Sequence, residues 1–450
     1  MKLPRKPPSI EKIVESYDAE KLLALISHSH ISLKPVTDSK EYIHWDKLRH
    51  LKPPTTLSSE EWWFTIKWAR KLLYKPLPFN DIHNKAFVFG TPDPLLYKLS
   101  IIDRAMGNSA QANNSVLNTQ IRDTYLVNSL IEESITSSQL EGAVTTRNVA
   151  KEMLRSKRKP KNISEQMILN NYHAMQFMRE IKNEALTPHI VMELHRIVSL
   201  DTLEEKRQEG HFRTAKDDIS IVDVRDDEIL HIPPNADELP ERLQKLCGFA
   251  NARMDDEEMF IHPVIKAIVL HFILAYDHPF VDGNGRTARA LFYWSMLHQG
   301  YWLTEFISIS NILKKAPAKY GKAYLYTETD DNDVTYFLFH QIEVILDSIQ
   351  ALHQYLDKKT NEIQEAEALL HTPNTLSQQF NFRQLSLIRH ALRHPQMHYE
   401  IKSYQQSHNI TYDTARTDLL KLVDFGLLVK QKIGKKFVFV ASIELRKQLE

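Results

Sequence analysis

One segment of the chain, Pro263–Asp277, most restricts the folds that this sequence can adopt. Its residues, PVIKAIVLHFILAYD, are apolar on nearly every side of a helix, so other helices must surround it. The chain also has only 11 glycines, and long stretches repeat apolar residues at helical spacing. We therefore predict a mainly α-helical protein in which Pro263–Asp277 is the central helix of a bundle.

The composition is that of a globular protein without a membrane-spanning segment. Hydrophobic residues make up 42% of the chain and charged residues 25%, which allows a sizeable core. Lys+Arg and Asp+Glu both total 57, so the net charge does not point to a nucleic acid or a membrane. The apolar run Ala267–Tyr276 is too short to cross a bilayer, and the N-terminal MKLPRKPPSIEK lacks the apolar stretch of a secretory signal. Because Cys247 is the single cysteine, no internal disulfide can form, and we expect a cytoplasmic protein with no membrane partner.

Changes of pattern along the chain divide it into four predicted regions. These are a helical N-terminal region (1–95), a helical domain (96–356), a linker (357–379) and a separate C-terminal module (380–450). In the first region Ser58 and Glu61 have the spacing of a helix capping box. The stretch Lys75–Pro94 contains four prolines and is interpreted as a linker or irregular connection.

Two short runs with β-type residues interrupt the helical domain. Ile219–Val224 and Ile229–Ile232 lie on either side of Arg225-Asp226-Asp227-Glu228, which predicts a β-hairpin. A lone hairpin is only marginally stable. We therefore interpret it as a mobile flap rather than as part of the core.

The backbone of the loop after the central helix has the features of an anion-binding site. This loop, His278–Arg289, reads HPFVDGNGRTAR and leads into a helix that is predicted to begin near Arg286. Gly283 and Gly285 allow a positive φ and a close approach of a ligand to the backbone. Successive N–H groups that enter a helix N-terminus attract phosphate.

The side chains of the same loop supply the other parts of a phosphoryl-transfer site. Asn284 adds donors, and Arg286 and Arg289 stand three residues apart, so both can bind phosphate oxygens. Asp282 offers the hard oxygen ligand that Mg²⁺ prefers, and His278, with an ordinary pKa of about 6.5, can accept a proton. The alternative interpretation is a turn between two helices with solvated charges.

The loop resembles the signature of the Fic family, His-x-Phe-x-Asp/Glu-Gly-Asn-Gly-Arg-x-x-Arg, at every fixed position. The resemblance extends through Gly210–Thr214, the predicted hairpin, His231–Pro234 and His262-Pro263, and covers about 121–348. It implies a Fic-type helical bundle with a small β-hairpin flap. It also implies an enzyme that uses ATP and Mg²⁺ to attach AMP to a Ser, Thr or Tyr hydroxyl of a protein target, the chain itself included.

The resemblance also assigns roles to individual residues. His278 would take the proton of the target hydroxyl, Asp282 would hold Mg²⁺, and Arg289 would contact the γ-phosphate. The residues that would surround the phosphates are Gly283, Asn284, Gly285 and Arg286. Ile219 and Ser220 fall where the flap of the family touches ATP, and Tyr320 is either a residue near the adenine or a core tyrosine.

A motif upstream, Ser137-Ser138-Gln139-Leu140-Glu141-Gly142, resembles the inhibitory motif of the family, Ser/Thr-x-x-x-Glu-Gly/Asn. The resemblance implies that the Glu141 carboxylate pairs with Arg289 in a bidentate contact and occupies the γ-phosphate position, with Ser137 at the start of the motif. The alternative is that Glu141 is an exposed glutamate at a helix end. Family members also use homodimers to regulate this inhibition, so a homodimer stays open.

The C-terminal module resembles a winged helix-turn-helix. Its predicted helices are Gln384–Arg393, Tyr399–Ser407 and Tyr412–Phe425, and its predicted wing strands are Leu427–Lys432 and Phe437–Val440. From Phe382 to Glu450 the chain has 12 Lys+Arg against 6 Asp+Glu, with Arg416 on the third helix and a cluster of lysines at the wing, namely Lys430, Lys432, Lys435 and Lys436. This pattern is typical of contact with a phosphate backbone, and DNA binding, protein docking and a purely structural role all stay open.

Two classes of function follow. The first is an autoinhibited protein adenylyltransferase that releases pyrophosphate, or a relative that transfers another phosphate-linked group. The second is a DNA-binding regulator whose Fic domain binds nucleotide without turnover. The intact His278 and Asp282 favour the first class.

Overall fold

The computed structural model describes most of the chain. The described residues are 2–27, 34–54, 57–107, 119–223, 225, 227–252, 260–371, 379–408, 410–433 and 436–449. The chain forms two compact units, Met1–Gln350 and Ala351–Glu450. Helices predominate among the described residues, so the prediction of a mainly α-helical protein is confirmed.

The first unit begins with four helices. They are α1 (Ile10–Ser16), α2 (Ala19–Ser27), α3 (Trp45–Leu48) and α4 (Ser59–Lys71). The predicted capping box starts α4: the Ser58 hydroxyl accepts from the Glu61 N–H at 3.2 Å, and the Glu61 carboxylate accepts from the Ser58 N–H at 2.8 Å. Trp63 and Phe64 are fully buried in the core that these helices form.

A β-hairpin replaces the irregular connection that the four prolines of Lys75–Pro94 suggested. Its strands are β1 (Lys75–Asn80) and β2 (Ala86–Phe89). Leu77 and Phe79 on β1, and Phe87 and Phe89 on β2, are buried at alternate positions, which is the spacing of a strand with one face on a core. That apolar alternation outweighs the prolines, since proline is tolerated in an edge strand.

The predicted boundary between residues 95 and 96 falls inside a helix, α5 (Asp93–Met106). The hairpin before it is also joined to a distant loop, since the Val88 N–H donates to the Asn332 carbonyl at 3.1 Å and the Val334 N–H donates to Val88 at 2.8 Å. Residues 1–95 are therefore part of the first compact unit.

The remaining helices of the first unit surround one central helix. They are α6 (Thr119–Leu140), α7 (Arg147–Ser156), α8 (Ile163–Glu180), α9 (Pro188–Ser199), α10 (Leu239–Asn251), α11 (Pro263–Asp277), α12 (Asn284–His298), α13 (Ile309–Leu313), α14 (Pro317–Thr329) and the first part of α15 (Thr335–His371), which continues past Gln350. In α11 nearly every residue from Val264 to Asp277 is buried, as predicted. Helix α12 packs along α11, and the loop between them carries the predicted chemistry.

A small hairpin lies between α9 and α10, at the predicted position. Its strands, β3 (Ile221–Val222) and β4 (Ile229–His231), are antiparallel and shorter than predicted. Val224 of the predicted first strand lies outside the described residues. Further along, α15 continues through 357–371, most of the predicted linker, and 372–378 lie outside the description.

The second unit contains the three helices and the hairpin expected from the sequence. Its elements after α15 are α16 (Phe382–Arg393), α17 (Ile401–His408), α18 (Tyr412–Asp424), β5 (Leu428–Ile433), β6 (Lys436–Ala441) and α19 (Leu445–Leu449). Fully buried Leu419, Leu422 and Phe439 join the helices to the hairpin. Gly434 and Lys435 of the predicted wing lie outside the described residues, and the winged-helix assignment stays a prediction.

Among the described helices, none has both the length and the apolar content that crossing a lipid bilayer requires.

Candidate active site

The loop between α11 and α12 begins at His278, which has a left-handed backbone conformation with φ 45°. This conformation is uncommon for a residue with a side chain. It is held from both sides: the His278 N–H donates to Leu274 at 3.1 Å, and the His278 carbonyl accepts from Arg213 Nε at 2.8 Å. Arg213 is itself buried and also donates its backbone N–H to Pro279. The sharp turn therefore has a fixed geometry.

The His278 ring is arranged to act as a neutral base. Its Nδ1 lies 3.4 Å from the Ala275 carbonyl, which suits a donated N–H and leaves Nε2 as the nitrogen that can accept a proton. Burial lowers the pKa of His278 to about 4, while the charge of Glu141 acts in the opposite direction. The imidazole is therefore uncharged near neutral pH.

The two glycines of the loop serve different purposes. Gly283 has φ 83°, as predicted, and a Cβ there would lie 3.2 Å from Val198 Cγ1. Gly285 lies inside α12 without a positive φ, so its predicted torsional role is wrong. A Cβ at Gly285 would instead lie 2.3 Å from an oxygen of Glu141. Gly285 thus permits a carboxylate to lie directly against the first turn of α12, where N–H groups attract negative charge.

Asn284 does not add side-chain donors to an open phosphate site. Its Nδ2 donates to the Phe280 carbonyl at 2.8 Å, and its Oδ1 accepts from the Phe280 N–H at 3.0 Å. The side chain is buried and closes the loop on itself. An asparagine four residues after Phe280 can bond either to the backbone of the loop or to a ligand. The folded loop shows the first of these arrangements.

Arg286 is also buried beneath the loop, whereas the sequence predicted that it would bind phosphate together with Arg289. Its guanidinium donates to the Val198 carbonyl and to Asp282, both at 3.1 Å. Its Nε has no hydrogen-bond partner among the described polar atoms. Burial lowers the pKa of Arg286. In this conformation Arg286 positions Asp282 rather than facing an open pocket.

Asp282 is the exposed carboxylate of the loop. Its side chain is 52% exposed, and one oxygen accepts from Arg286. Among the described residues, no group of three or more His, Cys, Asp or Glu side chains is arranged to hold a metal ion. A single accessible carboxylate fits Mg²⁺, which keeps several waters and takes phosphate oxygens as its other ligands.

Arg289 is buried and bound to the end of α6. Its Nε donates to the Ser137 hydroxyl at 2.9 Å, and its Nη2 donates to the Ser137 carbonyl at 3.1 Å and to Glu141 Oε1 at 2.7 Å. Burial acts to lower the pKa of Arg289, but the charges of Glu141, Tyr320 and Glu133, together with the hydrogen bond to Glu141, outweigh it and the pKa is raised. The pairing with Glu141 is as expected from the motif, except that one hydrogen bond joins the two groups instead of a bidentate pair.

This loop lies within the part of the chain that matches a known family. Residues 185–296 match the sequence model of the Fic/DOC family. The chain contains a Fic/DOC family domain. Ser137 and Glu141 lie upstream of the matched segment.

Relatives of the Fic domain include two curated proteins named "Protein adenylyltransferase Fic". The protein from Culex quinquefasciatus is 32% identical over 122 residues, which are 27% of this chain and 21% of the relative. The protein from Nematostella vectensis is 32% identical over 121 residues, which are 27% of this chain and 25% of the relative. The aligned segment thus spans only about a fifth to a quarter of the length of these relatives.

Two solved structures are similar in fold. A Fic family protein from Desulfovibrio desulfuricans G20 has a TM-score of 0.48 and 16% identity, and the match covers 78% of this chain and 95% of the other. A Fic domain containing signaling protein from Bacteroides thetaiotaomicron VPI-5482 has a TM-score of 0.47 and 18% identity, and the match covers 58% of this chain and 97% of the other.

One residue that supports the Fic loop, His195 of α9, was missed by the sequence analysis. It is fully buried and stacks on Phe280 with 3.7 Å between ring centroids. His195 Nδ1 accepts from the Gly210 N–H at 3.0 Å, so Nε2 carries the hydrogen that points at the Asp282 carbonyl, 2.9 Å away. The signal in the sequence was a histidine among the apolar positions of an amphipathic helix.

Tyr320 of α14 is half-buried, and its hydroxyl faces neighbouring side chains. Its hydroxyl lies 2.7 Å from His271 Nε2 and 3.2 Å from the Tyr324 hydroxyl. Burial raises the pKa of Tyr320, and the charge of Arg289 acts in the opposite direction. The Tyr320 hydroxyl is therefore held by His271 and Tyr324, and contact with an adenine stays a prediction.

The flap, defined as β3, β4 and their connection, presents apolar side chains to solvent. Val222 is 40% exposed and Ile229 is 50% exposed. Ile219 is half-buried and Ser220 is exposed, and both precede the first strand. Their contact with a nucleotide stays a prediction.

Proposed function

We propose that the chain is a protein adenylyltransferase that transfers AMP from ATP to a Ser, Thr or Tyr hydroxyl of a protein, and that Glu141 inhibits it. The observation that carries this proposal is the neutral imidazole of His278 at the start of a loop that ends in a helix N-terminus and a buried Arg289. The names of the curated relatives support the same reaction.

The proposed reaction uses groups of this chain for positioning and for one proton transfer. His278 Nε2 accepts the proton of the target hydroxyl, whose oxygen bonds to the α-phosphorus as the bond to the β-phosphate oxygen breaks, and pyrophosphate leaves. The N–H groups at the start of α12 bind the phosphates, and Arg289 binds the γ-phosphate once it is released from Glu141.

Asp282 is the residue that would hold Mg²⁺. Its carboxylate is fixed on one side by Arg286 and is about half exposed on the other. When bound, the ion would neutralise charge on the phosphates. His195 holds the Asp282 backbone, so the carboxylate starts from a fixed position.

The inhibition follows from overlap between Glu141 and the phosphates. The Glu141 carboxylate lies against Gly285 and accepts a hydrogen bond from Arg289. It therefore covers the helix N-terminus at which the phosphates would bind. Removing one charge-assisted hydrogen bond is worth about 1.5–3 kcal/mol. We expect Glu141→Gly to raise AMP transfer roughly 10- to 150-fold.

The test uses ATP labelled at either the α- or the γ-phosphate, with Glu141→Gly protein. Label that enters protein only from the α position supports AMP transfer, whereas label from the γ position indicates kinase chemistry. His278→Ala should abolish labelling without loss of core volume. If Glu141→Gly is no more active than the parent at the same ATP concentration, the inhibitory role is wrong. Transfer of another phosphate-linked group would show as labelling from neither position but from a different donor.

The target is part of the proposal. The exposed flap can pair with an extended segment of the target as an added strand. The target is another protein or a second copy of this chain, and a homodimer would bring two copies together. We place the reaction in the cytoplasm, where ATP is available and the free, buried Cys247 stays reduced.

A second function, DNA binding by the C-terminal module, is favoured by its exposed cations. Arg416 on α18 and both Lys430 and Lys432 on β5 are exposed to solvent. A helix and a neighbouring hairpin with such residues suit the contact of a phosphate backbone. A regulator that binds DNA and uses the Fic domain to sense nucleotide without turnover would bind both ligands and give no labelling.

A further inference from the structure

Helix α6, which ends just before Glu141, has two different faces. Its apolar face carries Ile131 and Ile135, which are buried together with residues of α7 and α8. Its polar face carries Ser129, Glu133 and Ser137, spaced by four residues, and Glu141 follows at the same spacing just after the last turn of the helix. Residues spaced by four lie on one side of a helix. The apolar face fixes α6 to the bundle, and the polar stripe meets the helix that carries Arg289.

Glu133 is the more buried of the two glutamates in that stripe. Its side chain is about 1% exposed, and no Lys, Arg or His side chain among the described residues lies within ion-pair distance. Its carboxylate accepts from the Ser308 hydroxyl at 2.8 Å, from the Ser310 N–H at 3.1 Å and from the Ser310 hydroxyl at 2.5 Å. A buried carboxylate needs such donors, because an uncompensated one is costly.

The segment that holds Glu133 is attached to α12. The Tyr293 hydroxyl donates to the Ile307 carbonyl at 3.2 Å and accepts from the Ile309 N–H at 3.0 Å. Tyr293 lies four residues after Arg289, so both face the same side of α12. Helix α6 is therefore joined to α12 at two points, directly through Arg289 and indirectly through Tyr293 and the segment 307–310.

We propose that Glu133 is a positioning residue that holds α6 in the register at which Glu141 reaches Arg289. Glu133 and Glu141 are eight residues apart, or about 12 Å along a helix. A shift of one helix position at Glu133 would carry Glu141 away from the 2.7 Å contact with Arg289. This inference rests on the proposed inhibition by Glu141.

The test is a comparison of Glu133→Ala in two backgrounds, with Glu141 present and with Glu141→Gly. With Glu141 present, we expect AMP transfer to rise on the order of tenfold. The reason is that loss of the hydrogen bonds from Ser308 and Ser310 to Glu133 weakens the state in which Glu141 contacts Arg289. In the Glu141→Gly background the same substitution should change the rate by less than about twofold, since no carboxylate is left to position.

Two further variants separate positioning from general damage. Glu133→Gln keeps an acceptor for the Ser310 N–H and a donor for the Ser310 hydroxyl, so it should restore most of the inhibition. Glu132→Gln is the matched control on the same helix, because Glu132 pairs with Arg147 and Lys151 of α7 instead. It should leave the inhibition unchanged. Ser310→Ala removes one donor from Glu133 and should raise activity less than Glu133→Ala.

The outcomes are distinct. If Glu133→Ala is folded by circular dichroism and no more active than the parent while Glu141→Gly is active, the positioning role is wrong. An equal rise in both backgrounds also overturns it, since Glu133 would then act without Glu141. If Glu141→Gly shows no AMP transfer, the proposed function fails, but the binding of a fluorescent ATP analogue still tests the positioning role of Glu133. Glu133→Ala should tighten that binding about tenfold. Unchanged binding would overturn the inference.

Discussion

At the scale of single residues, the loop between α11 and α12 shows which roles a sequence motif can convey. The positive φ of Gly283 was predicted from residue type, whereas the roles of His278 and Asp282 stay predictions. Asn284 and Arg286, which were expected to bind phosphate, turn inward to Phe280 and to Val198. Residue type and spacing specify what a side chain can bind, but the fold decides whether it meets a ligand or the protein's own carbonyl groups.

The pKa of His278 leads to a prediction about the pH dependence of the reaction. A base must be unprotonated to accept a proton, so activity is lost as the pH falls through its pKa, which burial sets at about 4. We expect AMP transfer by the Glu141→Gly variant to stay level from pH 8 down to about 5.5 and to fall below that. Glu141 raises the pKa of His278, so its removal does not shift the fall to higher pH.

Initial rates across pH 3.5–8, with folding checked at each pH by circular dichroism, test this prediction. A fall centred near pH 6.5 would mean that His278 has an ordinary pKa during the reaction.

At the scale of elements, the helices were predictable where apolar residues repeat at helical spacing. Elements whose residues favour more than one structure were not. The apolar run of α11 gave its bounds directly, and α12 begins only two residues before the prediction. The hairpin of β1 and β2 was missed because the prolines were given more weight than the alternation of the apolar residues Leu77 and Phe79 with prolines. The support from His195 could not be predicted, since a lone histidine in an apolar stripe does not reveal its partner.

The C-terminal module provides a prediction at the scale of elements. If α18 and β5 contact DNA, Arg416→Ala and Lys432→Ala should each weaken binding to duplex DNA for all sequences tested. Each should also lower the slope of log affinity against log salt by about 0.9, because one phosphate contact is lost.

Fluorescence anisotropy with a labelled duplex at several salt concentrations measures both quantities. Arg389→Ala and Lys447→Ala are the controls, since they remove exposed cations from α16 and α19. An equal effect of all four substitutions would indicate unspecific attraction by net charge, and no binding at low salt would favour protein docking.

At the scale of the first compact unit, a buried ion pair joins the N-terminal helices to the segment between α14 and α15. Lys67 of α4 lies 2.6 Å from Asp330, and both side chains are about 1% exposed. Because removal of one partner leaves a buried charge, we expect Lys67→Met to lower the free energy of unfolding by about 3–5 kcal/mol. Lys71→Met, which removes an exposed lysine from the same helix, should have little effect.

Denaturant unfolding of the two variants measures the difference, and Lys67→Met combined with Asp330→Asn should recover part of the loss. Equal stability of Lys67→Met and the parent would mean that the N-terminal helices contribute little to this unit.

Glu141 and the loop that it contacts at Gly285 belong to separate stretches of sequence. Under the proposed inhibition, substitutions within α6 change how readily ATP displaces the carboxylate while the loop stays the same. Descendants of this chain would then move from nearly silent to constitutively active through mutations that never touch His278–Arg289.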